Sequence, residues 1–98
     1  MLSLNDYPKR SEDLVWRMID NKVVIMNSNG KEIHSLNNVG SIIWELSDGA
    51  KNFEEIAVLI LERFETSIET ARIDVLEFGS QLVVKNIIQI SNDDNSDN

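Results

Sequence analysis

The chain has 98 residues, room for one small domain with a single hydrophobic core. Hydrophobic residues make up 42% of it and cysteine is absent, which excludes a disulfide framework and thiolate metal sites and fits a reducing compartment. Seventeen acids against nine bases give a net charge of −8, a field that repels phosphate backbones and favours either a basic partner or plain solubility.

The N-terminus has no basic n-region and no long apolar run, so no signal peptide is expected. No apolar stretch is long enough to span a bilayer, and a cytoplasmic protein is expected. Residues 1–13 are polar, with Pro8 and the charged run Lys9-Arg10-Ser11-Glu12-Asp13, and read as an irregular arm. Leu14 to Ile19 is rich in strand formers. Asp20-Asn21 has the composition of a two-residue hairpin turn, since both residues tolerate positive φ. Lys22 to Asn27 is a second strand, nearly continuous in apolar residues and therefore central. Ser28-Asn29-Gly30 is a second turn, and Lys31 to Leu36 a third strand, mixed and polar as an edge would be. Ile33 and Leu36 cannot share a face of a regular strand, so the strand either ends near Ser35 or carries a bulge.

Asn37 or Asn38 can cap a first helix with Val39, Ile42, Ile43 and Leu46 at helical spacing, and Gly49 would end it in a left-handed conformation. Asn52-Phe53-Glu54-Glu55 has capping-box spacing and opens a second helix with the stripe Phe53, Ile56, Ala57, Ile60, Leu61 and Phe64. Thr66 and Glu69 suggest a further capping box and a third helix reaching about Lys85. Its core stripe is Ile68, Ala71, Val75, Phe78 and Leu82, flanked by Arg72, Leu76, Gly79 and Val83. Residues 87–90 form a short extended end. Residues 91–98 contain no apolar side chain and read as a disordered acidic tail.

The order gives an α+β fold: a three-stranded antiparallel β-meander followed by three helices, winged-helix-like, with residues 14–90 as the folded domain. No residue set points to catalysis, and no metal or cofactor site is expected. His34 is the single histidine and reads as a solvent-facing edge residue. Ser41 has neither a nucleophile elbow nor a positioned histidine and reads as a cap or surface serine. The glutamates Glu54, Glu55, Glu62, Glu65 and Glu69 fit exposed helix faces and helix N-termini. Trp16 and Trp44 read as packing residues.

Several ordered segments resemble the PqqD-like family. They are Pro8 before a first strand, Val23-Val24-Ile25-Met26-Asn27-Ser28-Asn29-Gly30, and Leu36-Asn37-x-x-Gly40-x-x-Ile43-Trp44-x-Leu46. Asp48-Gly49 with Phe53-x-x-Ile56, then Phe64, Asp74-Val75 and Leu82, continue the resemblance to about Ile90. The chain departs from the family pattern at Lys85-Asn86-Ile87, where a glycine usually closes the third helix; Asn86 can serve as that cap.

The resemblance implies a non-catalytic peptide-binding accessory protein. Such a protein recognises the leader of a ribosomally synthesised precursor peptide and presents it to a modifying enzyme, often a radical SAM enzyme. It also implies that the leader adds as a strand beside the third strand, in a groove completed by the third helix. Lys31, Glu32, Ile33, His34 and Ser35 would supply the edge, and Arg72, Val75, Leu76, Gly79 and Val83 the helix side. Gly79 inside a helix suggests a close approach, by a guest peptide or by the first helix. A winged-helix DNA-binding protein is the alternative, opposed by the charge and by a third helix with Arg72 as its only base before Lys85. An acidic carrier protein is a third reading, but Ser41 lacks the preceding aspartate of a carrier motif and the strands do not fit. Neither nucleic acid nor membrane is expected as a partner.

Overall fold

The computed structural model describes residues 2–26 and 32–91. The turn expected at 28–30, Lys31 and the tail from 92 onward lie outside these described residues. The chain runs β1 (Tyr7–Arg10), β2 (Val15–Ile19), β3 (Lys22–Met26), β4 (Ile33–Ser35), α1 (Asn38–Leu46), α2 (Phe53–Leu61), α3 (Ile68–Val84) and β5 (Ile88–Ser91).

The meander forms as its turn chemistry dictates. Asp20 and Asn21 sit at φ 53° and 67°, the paired left-handed conformations of a tight hairpin turn, and set Ile19 opposite Lys22. β3 lies between β2 and β4, antiparallel to both. Val23 and Ile25, on one face of β3, are fully buried. β4 is only Ile33–Ser35, which resolves the conflict in its pattern. Ile33 faces outward, 65% exposed, and the strand ends before Leu36, which is 8% exposed and turns into the core.

The arm expected to be irregular over 1–13 contains a strand. Tyr7–Arg10 pairs antiparallel with Ile88–Ser91, so Ser91 belongs to a sheet rather than to the tail. Pro8 is tolerated because this sheet has only two strands, both of them edges. The Asp48-Gly49 turn reinforces β1: Gly49 N–H donates to the Pro8 carbonyl at 3.0 Å and Arg10 N–H to the Ser47 carbonyl at 2.8 Å. Gly49 is left-handed, φ 84°, but it does not end α1, which closes two residues earlier with Ser47 as its cap. Its conformation serves the contact with β1.

The helices are held by their caps. Asn37 caps α1 by accepting from Gly40 N–H, and the capping box of Asn52 and Glu55 is complete. Ser67, not Thr66, caps α3: its hydroxyl accepts from Thr70 N–H. Thr66 stands one residue too early for its side chain to reach that free donor. At the far end of α3, Asn86 is left-handed at φ 61°. Its N–H donates to the Val83 carbonyl, and Ile87 N–H to the Leu82 carbonyl at 2.8 Å, a Schellman closure with asparagine in the glycine position. Ile87 and Leu82, 1% and 2% exposed, complete it with an apolar contact inside the core.

The core lies between the inner face of the meander and the three helices. Phe53, Ile56, Ala57 and Ile60 of α2 meet Ala71, Val75, Gly79 and Leu82 of α3 there. Each large side chain so buried contributes about 1.5–3 kcal/mol. Ser41, expected as a cap or surface serine, is buried. Its hydroxyl accepts from Val23 N–H at 2.9 Å and donates to the Leu36 carbonyl at 3.3 Å, which ties α1 to the sheet. Trp44 is 3% exposed and meets Trp16 edge-on at 5.0 Å, with the Arg10 guanidinium over its ring. Among the described residues no helix is long and apolar enough to cross a membrane.

Candidate functional site

The open edge of β4 follows from the hydrogen-bond alternation of an antiparallel pair. Leu36 N–H donates to the Val23 carbonyl, and the register pairs Ile25 with His34 and Val24 with Ser35. Residues that exchange hydrogen bonds alternate with residues that do not. His34 and Leu36 therefore direct their backbone groups at β3, and Ile33 and Ser35 direct theirs away from it. No described strand pairs with that side. An extended peptide laid there finds one N–H and one C=O from each of Ile33 and Ser35.

Side chains alternate too. Ile33 and Ser35 point to the outer face of the sheet. His34 shares the inner face with its cross-strand partner Ile25. Its side chain is 17% exposed, so it is not the solvent-facing residue expected from its place at an edge. Its Nε2 is buried without a hydrogen-bond partner, 3.4 Å from Oε1 of Glu32.

α3 divides the residues expected on the helix side. Arg72 forms two 2.8 Å bonds with the Glu54 carboxylate, from Nε and Nη2. That pairing holds the Glu54 carboxyl below its ordinary range and raises the Arg72 guanidinium. Gly79 packs on neither a guest nor α1: a Cβ there would stand 2.8 Å from Cζ of Phe53, with the Leu2 side chain at 3.2 Å. Leu76 and Val83, half-buried, follow Arg72 and Gly79 along the same helical stripe, and Val75 is fully buried. This stripe faces α2 and the N-terminal segment, whose Leu4 and Asp6 carbonyls accept from Glu54 and Phe53 N–H.

The opposite flank of α3 meets α1. Phe78 approaches Gly40, where an added Cβ would meet its ring at 3.6 Å, next to Leu36 and Asn37 at the end of β4. Asp74, Gln81 and Lys85 share that flank by helical spacing. The structure thus places Glu32, Ile33, His34 and Ser35 at the open edge and Phe78 against α1, and leaves Arg72 and Gly79 facing α2. Phe78, part of the core stripe that periodicity predicts, is half-buried and packs against the core from the border of that stripe.

The model of the PqqD family, described as coenzyme PQQ synthesis protein D, matches residues 22–88, more than half of the sequence. The chain belongs to the PqqD family. The match starts at β3 and closes at the first residue of β5, so it spans β4 and all three helices. Among solved structures, this PqqD-family fold is similar to "TbiB1 in complex with the TbiA(beta) leader peptide", with 30% identity and a TM-score of 0.74 over 83% of this chain and 94% of that one. It is also similar in fold to "lasso peptide synthetase B1 complexed with the leader peptide", at 13% identity and a TM-score of 0.74, over 85% and 98% of the two chains. No curated protein matches the sequence.

Proposed function

We propose that this protein is a non-catalytic peptide-binding accessory protein. It holds the leader of a ribosomally synthesised precursor peptide as an added strand on β4 and presents it, in the cytoplasm, to a modifying enzyme, of the radical SAM class or another. The observation that carries the reading is the open edge of β4. Ile33 and Ser35 offer backbone groups there that no described strand takes up, and His34 lies between them with its side chain mostly buried. Two structures of the same fold are described as leader-peptide complexes. Peptide side chains would alternate between the outer sheet face beside Ile33 and the groove beside His34.

The DNA-binding alternative is not favoured. The net charge is −8, and the Arg72 guanidinium on α3 is already committed to Glu54. Counterion release needs cations free to meet phosphates.

The test is a titration of isotope-labelled protein with the leader of the precursor encoded beside it. Amides of Ile33 to Ser35 and of Asp74 to Gln81 are expected to shift. A Ser35→Pro variant removes an open-edge N–H without touching the β3 ladder. It should bind at least about tenfold more weakly, since a lost strand hydrogen bond and a clash together are worth about 1.4 kcal/mol. Leader binding that leaves β4 amides unshifted, or that tolerates Ser35→Pro, would overturn the site.

A further inference from the structure

β2 is the second open edge of the meander, and its chemistry differs from that of β4. Of the eight large hydrophobic residues that stand exposed among the described residues, four lie in this one strand: Val15, Trp16, Met18 and Ile19, at 45–52% exposure. No described strand pairs with its outer side. Residues 15–19 contain no proline and a single charge, Arg17, among the devices that usually protect an edge from association. We propose that β2 is a self-association edge, on which a second copy of this chain pairs antiparallel to make a continuous six-stranded sheet.

The register follows from backbone alternation. The two-residue turn makes Ile19 and Lys22 a hydrogen-bonded pair, so Arg17 and Val15 also direct their backbone groups at β3. Trp16 and Met18 direct theirs outward. A two-fold axis through Trp16 then pairs Trp16 with Trp16 of the second copy as a hydrogen-bonded pair. The competing register, centred on Arg17, sets two guanidinium groups directly opposite each other in the close, non-hydrogen-bonded position, which like charges disfavour. In the Trp16 register Arg17 faces Val15 of the second copy. The strand thus pairs without opposed charges in one register and is repulsive in the other. Both β4 edges stay at the outer ends of the combined sheet, open to peptide.

One strand pair buries less than about 1,200 Å², the size of weak and transient complexes. Dimerisation is therefore expected between about 10 and 500 μM. Sedimentation velocity over that range should show a concentration-dependent dimer, and hydrogen exchange should show Trp16 and Met18 amides gaining protection with concentration. Val15→Glu places a carboxylate opposite Arg17 of the second copy and should tighten the dimer about threefold or more. Val15→Lys should weaken it about as much. The added charge alone predicts the reverse order, because the chain is already acidic. A monomer throughout the range, the reverse order for the two variants, or protection of β2 that appears only on adding leader peptide would overturn the proposal. Leader binding at β4 is measured separately and does not depend on the outcome.

Discussion

Gly79→Ala should destabilise the protein even though alanine is the better helix former. The added methyl would stand 2.8 Å and 2.9 Å from two ring carbons of Phe53 and 3.2 Å from Leu2, and Phe53 is fully buried. Two contacts below van der Waals distance inside a closed core leave the ring nowhere to turn, so α2 and α3 must separate. Overpacking of this kind costs about 1–3 kcal/mol, and this geometry belongs in the upper half of that range. The helix gains about 1 kcal/mol from losing a glycine. The net loss is about 1–2 kcal/mol, or a fall in Tm of roughly 5–10 °C for a domain of this size. Thermal and urea unfolding measure it. Combining the change with Phe53→Leu should recover part of the loss, because the clash and the ring are one interaction. Leader affinity of the folded variant should not change. A Gly79→Ala protein as stable as the parent, or one that folds normally but no longer binds leader, would refute the packing argument and return Gly79 to the peptide site.

Other expectations follow from single contacts. Ser41→Ala leaves Val23 N–H buried without its acceptor and should cost about 1–3 kcal/mol in urea unfolding. Faster exchange of the Val23 amide would accompany it, and an unchanged midpoint would contradict the role given to the hydroxyl. The hydrogen bond from Arg72 lowers the Glu54 carboxyl from its ordinary 4.5, and that from Lys51 lowers Asp48 from 3.8. Depressed folded values mean that this stabilisation is present above the unfolded values and is lost as pH falls through the folded ones. Stability measured downward from pH 6 should therefore decline below about pH 4.5. Glu54→Gln should flatten part of that decline, and an unchanged acid limb would show the pair to be inert. Asn86 pays for a left-handed conformation that glycine takes freely, so Asn86→Gly should match or slightly exceed the parent in Tm. Asn86→Ala should lose about 1 kcal/mol. Equal stability of the two variants would contradict the closure described for α3.

The parts of the fold legible in the sequence are those set by neighbours along the chain. The Asp20-Asn21 turn, the Asn52 capping box and the apolar stripes of α2 and α3 each need only a few adjacent residues to state their conformation. Even the conflict between Ile33 and Leu36 was visible, because alternation in a strand is a local rule. β1 was not legible. Tyr-Pro-Lys-Arg carries no strand pattern of its own, and its partner lies about eighty residues away. The same holds for Ser41, whose two bonds reach β3 and the end of β4, and for Ser67, which won the capping position from a neighbour with equal credentials.

The sequence by itself determined the class of fold, the order of the meander and the three helices, the family resemblance and the identity of β4 as an exposed edge, since all of these rest on local periodicity, turn residues and ordered motifs. Only the tertiary structure decided which way the flanks of α3 face. Helical spacing shows that Arg72, Leu76, Gly79 and Val83 share one stripe, but not what the stripe faces. That direction is fixed by α2, whose Phe53 fills the notch at Gly79 and whose Glu54 takes the Arg72 charge. The Phe78 flank is turned instead to α1, at Gly40. The rotation of a helix about its own axis is set by the partners that close on it, and those partners come from distant parts of the chain.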